Sequence, residues 1–187
     1  MLYYLAPIII IAAIILWVIL VYNGLVAMKN QVENAWRQID VQLKRRHDLI
    51  PNLVNTVKGA MEFERDTLTK VIEARSKAVG AATIAEKGMA ENMLTQALGK
   101  LFALVESYPD LKSNKNILQL QEELTSTENR ISFARQFYND LTALFNTRQQ
   151  TFPAVLIAGG FGFKAAEFFQ VVETERQTPV VDLKLRP

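Results

Sequence analysis

Residues 113–150 read SNKNILQLQEELTSTENRISFARQFYNDLTALFNTRQQ, and the placing of apolar side chains along them decides the fold. Ile117, Leu120, Leu124, Thr127, Ile131, Ala134, Tyr138, Leu141 and Phe145 follow one another at intervals that alternate three and four without a miss. That period puts them on one stripe of an α-helix. Its persistence is the pattern of a helix packed lengthwise against others at a shallow angle. Ser113 or Asn114 supplies the N-terminal cap, a short polar side chain that accepts from the first free backbone N–H groups. An oligomeric coiled coil would carry the same stripe; packing within the chain is favoured because the chain holds other helices to receive it.

Working back, residues 84–107 give a second helix with Met89, Met93, Leu94, Ala97, Leu101, Leu104 and Val105 on one side. It stops at Tyr108-Pro109-Asp110, where proline has no N–H to continue the ladder. Residues 26–79 hold one proline, Pro51, one glycine, Gly59, and a seam of Val32, Trp36, Ile39, Leu43, Ile50, Leu53, Val57, Leu68 and Val71. The spacing predicts one very long helix or two collinear ones, kinked at Pro51 or restarted there under a cap from Asp48. Past Phe152 and Pro153, residues 154–162 are apolar with glycine at 159, 160 and 162, and a short helix is expected over residues 164–171. Residues 172–187 read as an extended tail in which Val180, Val181, Asp182, Leu183, Lys184 and Leu185 partly alternate.

The N-terminus carries no charged side chain before Lys29. From Leu5 to Val21 it is apolar throughout, through Ile8, Ile11, Ile15, Trp17 and Leu20, with Pro7 placed where a first helical turn tolerates it. At about 1.5 Å per residue, a helix from near Pro7 to Leu25 covers roughly the 30 Å of a bilayer core. Tyr3, Tyr4 and Tyr22 stand where interfacial aromatics are favoured. A cleaved signal peptide fits less well, since the basic start is missing and Tyr22-Asn23-Gly24 makes a poor cleavage site. Lys29, Arg37, Lys44, Arg45 and Arg46 follow the span, which predicts a short N-terminus outside and the bulk of the chain in the cytoplasm. The expected plan is all-α: an anchor over residues 1–25, continuous with an up-and-down bundle of three long helices and a short one over 26–171, then the tail over 172–187.

Composition narrows the chemistry. Half of the 187 residues are hydrophobic, the net charge is +2 and the charges are interleaved, so no nucleic-acid footprint is expected. Cysteine is absent, which removes disulfides, thiolate metal sites and a cysteine nucleophile. His47 is the sole histidine and is expected on a solvated helix face; no metal-ligand spacing accompanies it. Gly159-Gly160-Phe161-Gly162-Phe163-Lys164 lacks the spacing and the preceding strand of a phosphate loop, so neither cofactor nor catalytic set is expected. Arg46, Glu64 and Arg75 fall on the first seam's register, and Glu128 and Arg135 border that of residues 113–150. They are expected to form interhelical ion pairs that fix which helix lies against which. Phe152, Phe161, Phe163, Phe168 and Phe169 either pack under the bundle or make contact with membrane or a neighbouring copy.

Several strings, in order, resemble the signature of the LemA family. They are Tyr22-Asn23 with Leu25-Val26, Ala35-Trp36, Ile39 to Arg46, Asp48-Leu49-Ile50-Pro51-Asn52-Leu53-Val54, Glu64 and Ala74-Arg75. Further on come Tyr108 to Lys112, Thr127-Glu128-Asn129-Arg130-Ile131, Ala134-Arg135, Tyr138-Asn139, Phe152-Pro153, Gly162-Phe163 and Phe168-Phe169. The resemblance implies a bacterial inner-membrane protein with one span and a cytoplasmic helical bundle. It also implies a biochemical activity that is poorly defined, in a family with a magnetosome-associated branch tied to making intracellular membrane compartments. The expected function is a non-enzymatic scaffold whose partners are the lipid bilayer and further copies of itself. The alternative is an accessory or adaptor subunit of a membrane enzyme such as a protease, its tail adding a strand to a partner's sheet edge.

Overall fold

Side-chain period sets the architecture. In the computed structural model, which describes residues 2–59 and 64–169, the residues that α1 (Leu2–Lys58) buries include Leu25, Val32, Ile39, Arg46 and Leu53, which recur at intervals of seven. Along α5 (Lys115–Gln150) Ile117, Leu124, Ile131, Tyr138 and Phe145 are buried at the same interval. The intervening seam residues of α5 are half-buried, apart from the buried Thr127. The remaining elements are α2 (Arg65–Gly80), α3 (Ile84–Glu106), the single turn α4 (Pro109–Lys112) and α6 (Ala154–Gly160). The fold is all-α, with a long apolar helix at the N-terminus, and the described residues contain no strand.

Two compact units divide the chain, one built from residues up to 46 with 123–168, the other from 47–122 with the chain from 169. In the first, Trp36 stacks on Tyr138 with ring centroids 5.5 Å apart, and Arg46 meets Glu128. α1 and α5 therefore run antiparallel there. In the second, α2 packs along α3 through Leu68, Val71, Ala74 and Ala78 against a row containing Leu94, Leu98, Leu101 and Val105. Each such Leu or Val withdrawn from water contributes on the order of 1.5–3 kcal/mol.

Several expectations are corrected. α1 runs helical through Pro51 and stops at Lys58, before Gly59, a residue type of poor helix propensity. Nor are α1 and α2 collinear: Arg75 Nε lies 2.7 Å from the carbonyl of His47, so α2 folds back along the end of α1. Met89 and Met93 stand exposed on α3, because Ala90, Leu94, Leu98 and Leu101 form the stripe that α2 covers. The short helix lies before residue 164, at α6, while residues 163–169 are non-helical. Two side chains of α5 hold that stretch: Asn146 donates to Ala166 O (2.9 Å) and accepts from Ala166 N (2.8 Å), and the Tyr138 hydroxyl donates to Glu167 O (2.6 Å). The tail over 172–187, including residues 180–185, lies outside the described residues.

Helix ends follow local chemistry. Asn114, one of the two expected caps, accepts from the backbone N–H of Asn116 at 3.0 Å. Gly162, at φ 72°, closes α6: Gly162 N bonds Gly159 O, Phe163 N reaches back to Ala158 O, and Phe163 packs against the patch that holds Ala158. That left-handed residue has to be glycine for the helix to end so without strain.

At α3, Thr83 and Glu86 form a reciprocal capping box, with 3.1 Å bonds in both directions. Backbone N–H groups of Thr83 and then Ala82 hold the Glu86 carboxyl below its usual 4.5. A depressed folded pKa means that this contribution is present above about pH 4.5 and is lost as pH falls through the lower folded value. Amide protection at the start of α3 is therefore expected to fall with acid below that point. Hydrogen exchange on a Glu86→Gln variant, whose side chain does not titrate, should show the acid-dependent part missing.

Candidate functional site

The apolar N-terminal segment is largely outward. An 18-residue window within Leu5–Lys58 has a mean hydropathy of 2.9 and none of it is buried, so this stretch of α1 is long and apolar enough to cross a membrane. Leu5, Ile8, Ile11, Ile15, Trp17 and Leu20 are exposed, and Val21 is half-buried.

At the C-terminal end of that stretch the chain builds an aromatic and aliphatic cluster. Leu25 is buried against Ile157 and Ala158 of α6, with Val18, Val21 and Phe163 packed around them. Tyr22 lies 4.9 Å from Phe161 and 5.7 Å from Phe163, between ring centroids, and Phe163 meets Phe145 edge-on at 6.5 Å. Of the phenylalanines singled out in the sequence, Phe152, Phe161 and Phe168 are exposed, Phe163 is half-buried and Phe169 is buried. Tyr22 as the partner of two of them was not foreseen, although its place after the apolar run was.

Two polar sites hold α1. In the first unit Arg46, 1% exposed, occupies a core position of the seven-residue repeat and forms an ion pair with Glu128, whose side chain is 37% exposed. Further along α5, burial pushes the Tyr138 phenol above its usual 10, and the Glu167 carboxylate adds to the shift. In the second unit His47 is engaged twice. Its Nε2 lies 2.7 Å from Oε1 of the buried Glu91 on α3, and its carbonyl accepts from Arg75 on α2. His47 is thus a structural node rather than the solvated residue expected, because α3 brings a carboxylate to a face that α1 alone would leave wet. Glu64 accepts from the Tyr108 hydroxyl at 3.5 Å, and Arg135 sits half-buried on α5.

The Arg75 contact has a covalent origin. Pro51 has no N–H, so the carbonyl four residues earlier, that of His47, loses the donor an α-helix would give it. Arg75 supplies the replacement.

A further feature lies on the outer face of the first unit. Phe133, Phe137 and Leu144 of α5 are exposed by half or more on one helical face, with Val41 of α1 exposed nearby. Arg37, Gln38, Val41, Arg130, Phe133 and Phe137 line a groove of about 510 Å3. The members of this stripe fall between the core positions, so the seam of residues 113–150 does not announce them.

A family model described as the LemA family matches residues 35–183. Protein LemA of Metamycoplasma hominis is 29% identical over 156 residues, covering 82% of this chain and 71% of that protein. Magnetosome protein MamQ 2 of Paramagnetospirillum magneticum is 25% identical over 201 residues, covering 94% of this chain and 74% of that one. For Magnetosome protein MamQ of Magnetospirillum gryphiswaldense the figures are 25% over 186 residues, 86% and 68%.

Proposed function

The chain belongs to the LemA family, and from that premise we propose that it is a non-enzymatic, membrane-anchored scaffold that assembles with copies of itself and so organises a patch of membrane. The span runs once through the bilayer and the basic residues that follow it keep the bundle in the cytoplasm. The observation that carries the reading is the exposed stripe of Phe133, Phe137 and Leu144 beside Val41. A contiguous apolar face of that kind marks a contact surface. Anchoring supports a second copy as its occupant, because every copy then presents the stripe at the same height above the bilayer and the search is reduced to two dimensions. The relatives named as magnetosome proteins support placing that work at a membrane.

The full-length protein in mild detergent, weighed by light scattering and imaged, should be a closed ring or larger homo-oligomer. A Phe133→Asp/Phe137→Asp variant should run as smaller species with unchanged helix content by circular dichroism. A monomeric wild-type protein would sink the scaffold and turn attention to the adaptor role.

A further inference from the structure

Only one face of α6 is buried. Ala154, Ile157 and Ala158 turn inward, and the last two close over Leu25 beside Val18 and Val21. Val155 and Leu156 face out, with Phe152 before them and Phe161 after them exposed by 80% and 60%. Keeping such a face wet is unfavourable in proportion to its apolar area. Its position along α1 identifies what covers it. From Val18 to Lys29 an α-helix rises about 16 Å, close to half of a hydrocarbon core of ~30 Å. The residues that receive α6, Val18 to Leu25, lie within that interval, above the first charged side chain. At the same level Lys29 and Lys164, with Tyr22, Phe145, Phe161 and Phe163, line a groove of about 450 Å3. Cations on long stems beside aromatic rings are what the phosphate level of a bilayer favours.

We propose that α6 is a second membrane element, lying within the cytoplasmic leaflet alone, with Phe152, Leu156 and Phe161 among the acyl chains and Lys29 and Lys164 at the phosphates of anionic lipid. The proposal rests on the reading that α1 crosses the bilayer. An apolar element confined to one leaflet adds area to that side only, which favours bending and gives the organising role a physical means.

The chain has no cysteine, so single cysteines can be introduced without a background. Leu156→Cys, Phe133→Cys and Ile11→Cys are each labelled with a fluorophore in the full-length protein, in vesicles of phosphatidylcholine and phosphatidylglycerol. Lipids with a nitroxide high or low on the acyl chain serve as quenchers. The label at Leu156 should be quenched severalfold more than that at Phe133, chiefly by the shallow nitroxide, and that at Ile11 chiefly by the deep one. Adding Lys29→Gln and Lys164→Gln should reduce quenching at Leu156 toward its value in phosphatidylcholine alone; no change would overturn the phosphate contact. Quenching at Ile11 with Leu156 behaving like Phe133, as a second copy over α6 would also produce, overturns the inference and leaves the span intact. If the label at Ile11 escapes as well, the span fails and takes the inference with it.

Discussion

Arg75→Ala is expected to destabilise the protein by about 2 kcal/mol, the size of a hydrogen bond from a charged donor to an acceptor it leaves behind. The loss should depend on residue 51. With Pro51 in place the His47 carbonyl has no helical donor, and Arg75 Nε at 2.7 Å is its replacement. In a Pro51→Ala background the N–H of residue 51 returns to that carbonyl, and Arg75 becomes largely dispensable. The double-mutant cycle should therefore show a coupling of about 1–2 kcal/mol between two residues on different helices. Pro51→Ala by itself should be neutral or stabilising, since an interior proline disfavours the helix by ~3 kcal/mol and its removal restores a bond. Urea midpoints of the detergent-solubilised chain, followed by circular dichroism, give all the corners. An equal loss in both backgrounds would show that Arg75 acts through something other than this carbonyl.

Glu128→Ala should be similarly costly. It takes from Arg46, 1% exposed at a core position, the carboxylate it pairs with. Breaking a fully buried pair from one side costs roughly 3–5 kcal/mol; the carboxylate's partial exposure brings the expected loss to about 2 kcal/mol. Replacing both members, Arg46→Met with Glu128→Leu, should recover most of it, because an apolar pair of similar volume has no desolvation to offset. A double variant as unstable as Glu128→Ala would mean that the pair does more than neutralise a charge.

Much of this was legible in the sequence, and the failures share a cause. The stripe from Ile117 to Phe145 was read correctly because burial on one helical face leaves a period that needs no knowledge of the partner. Arg46 and Glu128 stand out because a charge on an apolar register, or directly beside one, is conspicuous in one dimension. The restart expected at Pro51 does not occur: the sequence displays the missing N–H but not the guanidinium that a returning helix brings to the vacancy. His47 looked solvated for the same reason, Glu91 lying on another helix. Apolarity alone puts Met89 and Met93 inside, whereas a neighbouring helix covers only one stripe of α3. At the C-terminal end, the helix forms at Ala154–Gly160 rather than over the expected residues 164–171. Its two glycines weaken the local signal, and the stop at Gly162 is visible only in the backbone. The extended stretch after it depends on Asn146 and Tyr138, side chains that nothing in residues 163–169 announces.

Arg46 and Glu128 are 82 positions apart. A ribosome adding about 5–20 residues per second makes the second several seconds after the first. During that interval the long stripe of α1 from Val32 to Arg46 is still uncovered. α2 and α3 emerge next and can close on the later part of α1 at once, but the earlier part waits for α5. The last long helix to be made thus covers the first, and a nascent chain carries an apolar face ending in an arginine until it arrives.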